Sequence, residues 1–301
     1  MSEVDLQLHT TYSDGAETPR EVISGAAKNG VHIVAVTDHD TVAGVSEAIS
    51  AGKELGVTVI PGVEITTARA GKNLHILGYG IDTKSEDLHL FLEPIYAFRR
   101  ENLLRKVELV NTDLLSDGKK AIDLKGLKKE MGDFWNTPRV ANFMVSSGVT
   151  AEREEAFALL RGAVALPLEV KPEDAIGAIH AAGGIAVLSH PFAPKLSLLR
   201  ITDSTVEQEK VLEALCAAGL DGIECFQSGH GPAETARALE LAKKHQLLVT
   251  GGSDWHGSDS ELGEGVHDYI PHYPEHIGGL DVPTEAVRPI LEKLGINVDK
   301  T

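Results

Sequence analysis

Residues 4–15 read Val-Asp-Leu-Gln-Leu-His-Thr-Thr-Tyr-Ser-Asp-Gly. A strand-like run, Val4–Leu8, leads directly into His9, and Ser13-Asp14-Gly15 follows a few residues later. Four further segments put an imidazole or a carboxylate just after, or inside, such a run. They are Thr37-Asp38-His39-Asp40, Gly62-Val63-Glu64 with His75, Ser189-His190-Pro191, and Ser253-Asp254-Trp255-His256. Metal ligands are usually remote from one another in sequence, so several motifs of suitable type at strand ends constrain fold and chemistry together. The inventory implies a multinuclear metal site and a metal-dependent hydrolase.

Outward from that stretch, strand-like and amphipathic helical segments alternate. The pattern predicts Val4–Leu8, a helix near Pro19–Asn29, Ile33–Val36, a helix near Val42–Leu55, Val57–Ile60 and Leu74–Leu77. Thr18 before Pro19, with Glu21 three residues on, is a helix start: the hydroxyl caps free amides and proline suits the first turn. From about Ser85 to Leu168 the pattern becomes mainly helical and looks like an inserted subdomain. Alternation then returns through Ile185–Leu188, Gly222–Phe226 and Leu247–Thr250, each with neighbouring helices, and closes with a helix at Thr284–Leu294. Roughly seven parallel strands around one core are closer to a barrel than to an open dinucleotide-binding sheet. In such barrels functional groups gather at the C-terminal ends of strands, where His9, Asp14, His39, Glu64, His190, Asp254 and His256 fall; His75 lies inside a strand and must point inward. There is no GxGxxG after the first strand and no Walker-type loop.

Composition sets the limits. With 42% hydrophobic and 24% charged residues, 301 residues suffice for one large domain or a domain with a sizeable insertion. A formal charge of −17 argues against a generally basic, long-nucleic-acid surface, although bound cations would offset it where a small anionic substrate sits. Cys216 and Cys225 form no CxxC and lie among apolar neighbours, so buried hydrophobes are expected rather than a disulfide. No apolar stretch approaches the ~20 residues of a membrane helix, and no leader-like segment opens the chain, which places it in the cytoplasm. Oligomeric state is not legible.

In family order, these motifs resemble the PHP (polymerase and histidinol phosphatase) family, in particular free-standing nucleotide phosphoesterases with an inserted helical domain. The resemblance covers nearly the whole chain. It implies a distorted (β/α)7 barrel formed by residues 1–83 and 169–301, with 84–168 as a mainly helical substrate-capping subdomain. It also implies two or three divalent ions (Mn, Fe or Zn, with Mg possible). His9, Glu64 and Asp254 match a first metal position, with Gln7 where the family usually has a histidine. Glu64 as a bridge, with His75 and His190, matches a second; Asp14, His39 and His256 match a third. Asp38 and Asp40 are expected to orient ligands or satisfy loop backbone.

Two cations sharing one carboxylate lower the pKa of bound water enough to supply a bridging hydroxide near neutral pH, so no protein nucleophile is required. Asp14, His39, Glu64, Asp254 and His256 are the expected catalytic set. Arg99, Arg100 and Arg139 of the helical segment are candidates for a second phosphate or the ribose side, with His230 and Lys195 as further substrate contacts. Arg105 and Lys106 read as a solvated helix face. Phe134 and Trp135 read as core packing more than base stacking, and His267, His272 and His276 as a surface loop. The expected activity is hydrolysis of small nucleotide phosphate esters: a nucleoside 3′,5′-bisphosphate or a short oligoribonucleotide, with AMP as a ligand. A histidinol or sugar phosphatase, an amidohydrolase-type C–N hydrolase and a non-catalytic nucleotide-binding module are the alternatives.

Overall fold

The computed structural model describes residues 2–132, 135–163, 169–194, 196–258 and 272–298. Seven strands lie in sequence order: β1 (Val4–Leu8), β2 (Ile33–Val36), β3 (Thr58–Arg69), β4 (Lys72–Tyr79), β5 (Ile185–Leu188), β6 (Gly222–Gln227) and β7 (Leu248–Gly252). The sheet curls until its edges nearly meet. Leu8 bridges to Trp255, the His9 amide donates to the Trp255 carbonyl (2.8 Å), and the Ser253 amide donates to Asp5 Oδ1 (2.8 Å). Gly252 makes that approach possible, because a Cβ there would collide with the Gln7 backbone. The seven-stranded α/β barrel expected from the alternation is therefore present, nearly closed.

Two details depart from that expectation. The strands are not all parallel: β4 runs antiparallel to both β3 and β5. A two-residue turn, Ala70-Gly71, reverses the chain with φ of 53° and 70°, the double positive φ of the hairpin turns that match strand twist. β3 also extends to Arg69, so Glu64 sits inside a strand instead of following it. Register then fixes the inner face. Thr66 pairs directly with His75, and Glu64 lies two residues from Thr66, so all three project to the same side.

The barrel helices are α1 (Pro19–Lys28), α2 (Val45–Leu55), α7 (Pro172–Ala181), α8 (Ser197–Ile201), α9 (Thr205–Ala217), α10 (Pro232–His245) and α11 (Thr284–Lys293). α1 begins with the expected capping box: Thr18 accepts from the Glu21 amide while Glu21 accepts from the Thr18 amide. Between β4 and β5 lie α3 (Glu86–Ser116), α4 (Leu124–Met131), α5 (Thr137–Ser146) and α6 (Arg153–Gly162) before α7. α3 to α6 enclose an apolar cluster of their own, including Leu103, Val107, Leu127, Val140, Met144 and Leu160, whereas α7 packs on β3, β4 and β5. Cys216 and Cys225 are free thiols, Cys225 within the core. No helix among the described residues is long and apolar enough to cross a membrane.

Candidate metal centre

The segments that the sequence spreads over 250 positions converge at one end of the barrel. His9 follows β1, and Asp14 stands in the loop beyond it. Asp38 builds that loop: its Oδ1 accepts from the Thr10 amide (2.7 Å) and the Ser13 hydroxyl (2.6 Å), and its Oδ2 from the Thr10 hydroxyl (2.7 Å). His39 leaves β2 through backbone bonds to β3, where the Asp40 amide donates to the Glu64 carbonyl (2.9 Å). His190 follows β5 at φ 29°, and its amide donates to Glu224 Oε2 (2.7 Å). Asp254, at φ 56°, and His256 follow β7. Asp40, His190 and Asp254 all hold the left-handed conformation, which non-glycine residues adopt at a cost of about 1–3 kcal/mol and which clusters at functional sites.

Glu64 is the hub. Its Oε2 lies 3.1 Å from His9 Nε2 and 3.6 Å from His39 Nδ1; its Oε1 lies 3.0 Å from His75 Nδ1 and 3.0 Å from His190 Nε2. His9 Nε2 is also 3.1 Å from Asp254 Oδ1. Beside this, Asp14 lies 3.3 Å from His256 Nε2 and 3.8 Å from both His9 Nδ1 and His39 Nε2. His9, Glu64 and Asp254 form one ligand cluster, His39, Glu64 and His75 a second, and His9, Asp14, His39 and His256 a third. His190 joins the second through its 3.2 Å approach to His75 Nδ1. His39 stands between two clusters instead of belonging to one.

The chemistry of these donors fits cations. His9 is fully buried, yet neither ring nitrogen makes a hydrogen bond, and Asp14 Oδ1, His39 Nδ1 and Gln7 Oε1 are equally orphaned. Buried polar atoms without partners are costly unless something charged completes them. The ring nitrogens of His75 and His190 both face one oxygen of Glu64 at close range, as ligands of a shared ion do. Burial would raise the Glu64 carboxyl, but His39, His75 and His190 hold it well below its ordinary value; Asp14 is likewise held down against burial by His39, His256 and His9. Burial pushes the His39 imidazole well below its usual value, against the opposing pull of Asp14 and Glu64. Burial would lower His9 too, but Asp254 and Glu64, two carboxylates converging on its Nε2, hold it well above its usual value. His256 Nδ1 donates to the Asp254 carbonyl (2.7 Å), leaving Nε2 turned to Asp14. Gln7 turns its amide nitrogen to the centre, donating to Glu64 Oε2 (3.2 Å) and Ser189 Oγ (3.1 Å).

A cavity opens beside Asp14 and His39, walled by Arg99, Asn102 and Lys106 of α3, and by Trp135 and Asn136 at the start of α5. Of the proposed substrate contacts among the described residues, only Arg99 reaches it. Its guanidinium donates to Asp40 Oδ2 (2.7 Å) and lies 3.9 Å from Asp14. Arg100 lines a separate hollow with Lys128 and Gly132. The Arg139 guanidinium donates to the Glu130 carbonyl (2.9 Å) and the Met131 carbonyl (3.4 Å), tying α5 to α4. His230 binds backbone with both nitrogens: Nδ1 donates to the Cys225 carbonyl (3.0 Å) and Nε2 accepts from the Phe192 amide (3.1 Å). Burial pushes its pKa down to about 4, so the ring is neutral. Lys195, Phe134 and His267 lie outside the described residues. Sequence reasoning singled out neither Glu224 nor Asn102 and assigned Lys106 to solvent. A signal existed for the α3 wall: Ile95, Leu103 and Val107 are buried at four-residue steps, and Arg99 occupies the intervening slot of that apolar row.

Comparison with known proteins agrees with this geometry. The PHP domain family matches residues 5–132. Among proteins of assigned activity, the chain is 30% identical to the phosphoribosyl 1,2-cyclic phosphate 1,2-diphosphodiesterase of Eggerthella lenta, over 84% of this chain and 94% of that one. It is 32% identical to a 5′-3′ exoribonuclease of Haemophilus influenzae, over 84% and 89%. It is 30% identical to a 3′,5′-nucleoside bisphosphate phosphatase of Chromobacterium violaceum, over 89% and 90%. A crystal structure from Bifidobacterium adolescentis, assigned as a metal-dependent phosphoesterase, superposes with a TM-score of 0.77 at 31% identity, covering 99% of this chain and 98% of that one. A shared carboxylate ringed by buried imidazoles, on a nearly closed seven-stranded barrel, thus accompanies full-length similarity to enzymes that cleave phosphate esters, and the chain belongs to the PHP family of metal-dependent phosphoesterases.

Proposed function

We propose that the protein hydrolyses phosphate esters of small nucleotides, either a nucleoside 3′,5′-bisphosphate or a short oligoribonucleotide, with segment 84–168 capping the site. The observation that carries this reading is the cavity in which Asp14 and His39 face Arg99 and Lys106, joining the candidate centre to cationic side chains of α3. The nucleotide chemistry of two relatives, the exoribonuclease and the bisphosphate phosphatase, supports it. An acidic chain of charge −17 with only a local cationic wall suits a short anion better than a long polynucleotide.

Three donor groups would hold the ions: His9, Glu64 and Asp254 beside Gln7; Glu64 with His75 and His190; and Asp14, His39 and His256. Bound there, Mn, Fe or Zn would neutralise phosphate oxygens and activate water for in-line attack. The chain's own residues do the rest. Glu64 brings two donor groups within reach of one phosphate. Asp38 and Asp40 fix the loops that carry Asp14 and His39. Arg99, held by Asp40, lines the cavity, where its guanidinium would pair with a phosphate oxygen.

The test is phosphate release with Mn²⁺ from a panel spanning adenosine 3′,5′-bisphosphate, short oligoribonucleotides, phosphoribosyl cyclic phosphate, histidinol phosphate and sugar phosphates. Turnover of a nucleotide at least tenfold above the other esters is expected. Preference for a non-nucleotide ester, or ammonia release from a cyclic amide, would overturn the reading.

A further inference from the structure

We propose that Lys106 seats a second anionic group of the substrate, remote from the ester that is cleaved. The inference rests on reading the cavity beside Asp14 and His39 as the mouth of a phosphoesterase site, and it assigns which cation makes that mouth prefer a doubly phosphorylated ligand.

Arg99 and Lys106 stand seven residues apart on α3, two turns of one helix face and about 10 Å along its axis. Both line the cavity, with Asn102 between them. Their electrostatic situations are opposite. Arg99 is already neutralised by Asp40 at 2.7 Å, with Asp14 at 3.9 Å. Lys106 is half-buried, burial lowers its pKa, and among the described residues it has no ion-pair or hydrogen-bond partner. Its ammonium lines the same cavity as Arg99, Asp14 and His39, where an anion from outside the chain would complement it.

The chemistry narrows that anion. Asp14 and His39 mark the end of the cavity where the reacting phosphate meets the metal ligands, and Lys106 is placed beyond Arg99 along α3. A ligand reaching both ends carries two phosphate groups separated by a spacer such as ribose. An ammonium is a point charge on a flexible stem, so it attracts a phosphate without fixing its orientation. Binding of that kind acts equally on the ground state and the transition state; it lowers KM and leaves kcat alone.

The experiment compares wild type, Lys106→Met, Lys106→Arg and the charge-removal control Arg100→Met. Two readouts are taken: steady-state hydrolysis with Mn²⁺, and calorimetric titration into chelator-treated protein. Both use adenosine 3′,5′-bisphosphate and the 3′ and 5′ adenosine monophosphates. Lys106→Met is expected to raise KM and Kd for the bisphosphate about tenfold, equivalent to about 1.4 kcal/mol. At least one monophosphate should shift less than threefold, kcat should hold within about twofold, Lys106→Arg should recover most of the loss, and Arg100→Met should match wild type. Equal losses for all three nucleotides, or none, would overturn the assignment. If wild type hydrolyses no nucleotide, the proposed function falls while the titration still judges Lys106: weaker bisphosphate binding in Lys106→Met sustains it, and absence of binding in wild type removes it too.

Discussion

The ligands around Glu64 and the α3–α5 wall that faces them contribute to one cavity by different structural means. His9, His39, His190, Asp254 and His256 follow strands whose hydrogen-bonded register fixes where each side chain emerges. Arg99 and Lys106 project from a long helix, where a step of one residue turns a side chain by about 100°. Motif reading therefore carries further on the barrel than on the wall: Arg99 lines a cavity with Asp14 and His39 while its neighbour Arg100 lines another hollow.

The barrel side predicts the largest effect. Glu64→Gln should reduce phosphoester hydrolysis by about 10³-fold or more, as expected when a principal electrostatic element is lost. Elemental analysis should show reduced metal content alongside the kinetic loss. Near-normal turnover would deny Glu64 the hub position that its distances give it.

A packing change on the other side tests whether the two regions are separable. Leu127→Ala, within the apolar cluster of α3–α6, should cost about 3 kcal/mol. If 84–168 is a subdomain in its own right, hydrogen exchange should quicken in α3–α6 and leave β1–β7 protected. Uniform loss of protection would make the molecule one cooperative unit.

His230 is a barrel residue whose ring is tied to backbone at both nitrogens, and pH tests that placement. Its folded pKa is depressed to about 4 from 6.5, because burial disfavours the charged ring. The unfolded chain therefore takes up the proton first, so the contribution of neutral His230 is complete above about pH 6.5 and is lost as pH falls toward 4. The full effect is on the order of 3 kcal/mol. Urea midpoints at pH 7 and pH 5, in chelator, should diverge more for wild type than for His230→Asn. Identical pH dependence in the two would mean the ring is not held neutral by the fold.

Within the wall, the arginine pair supplies the finest contrast. Arg99→Met should lower kcat/KM about tenfold, the scale of a lost charge-assisted contact. Arg100→Met should stay within about twofold. Reversal of that order would mean that the helix presents a different face to the substrate than its buried row dictates.

These contrasts also explain what the chain discloses before it is folded. Strand runs such as Ile33–Val36 and Ile185–Leu188 are short, apolar and punctuated, and they stand where their residues suggest. The ligand motifs are legible because imidazoles and carboxylates beside such runs have little structural reason to recur. Ala70-Gly71 was not legible as a hairpin, since alanine is an unusual occupant of a positive-φ turn, and the reversal of β4 was missed with it. Arg139 and His230 tie backbone together in the fold, and a polar side chain that does so has the same one-letter appearance as one that grips a ligand. Glu224 escaped notice within Gly222–Gln227 because only the folded register brings its carboxylate to the amide of His190.

The pairing of β4 with β3 sets more than direction. Side chains on a strand alternate, so a slip of β4 against β3 by one residue would exchange His75 for Leu74 or Ile76 on the inward surface and put the imidazole into the apolar layer packed against α7. The imidazole that His75 offers to Glu64 is thus set by strand pairing, and a slip would remove it from the candidate centre while every residue of the motifs remained in the gene.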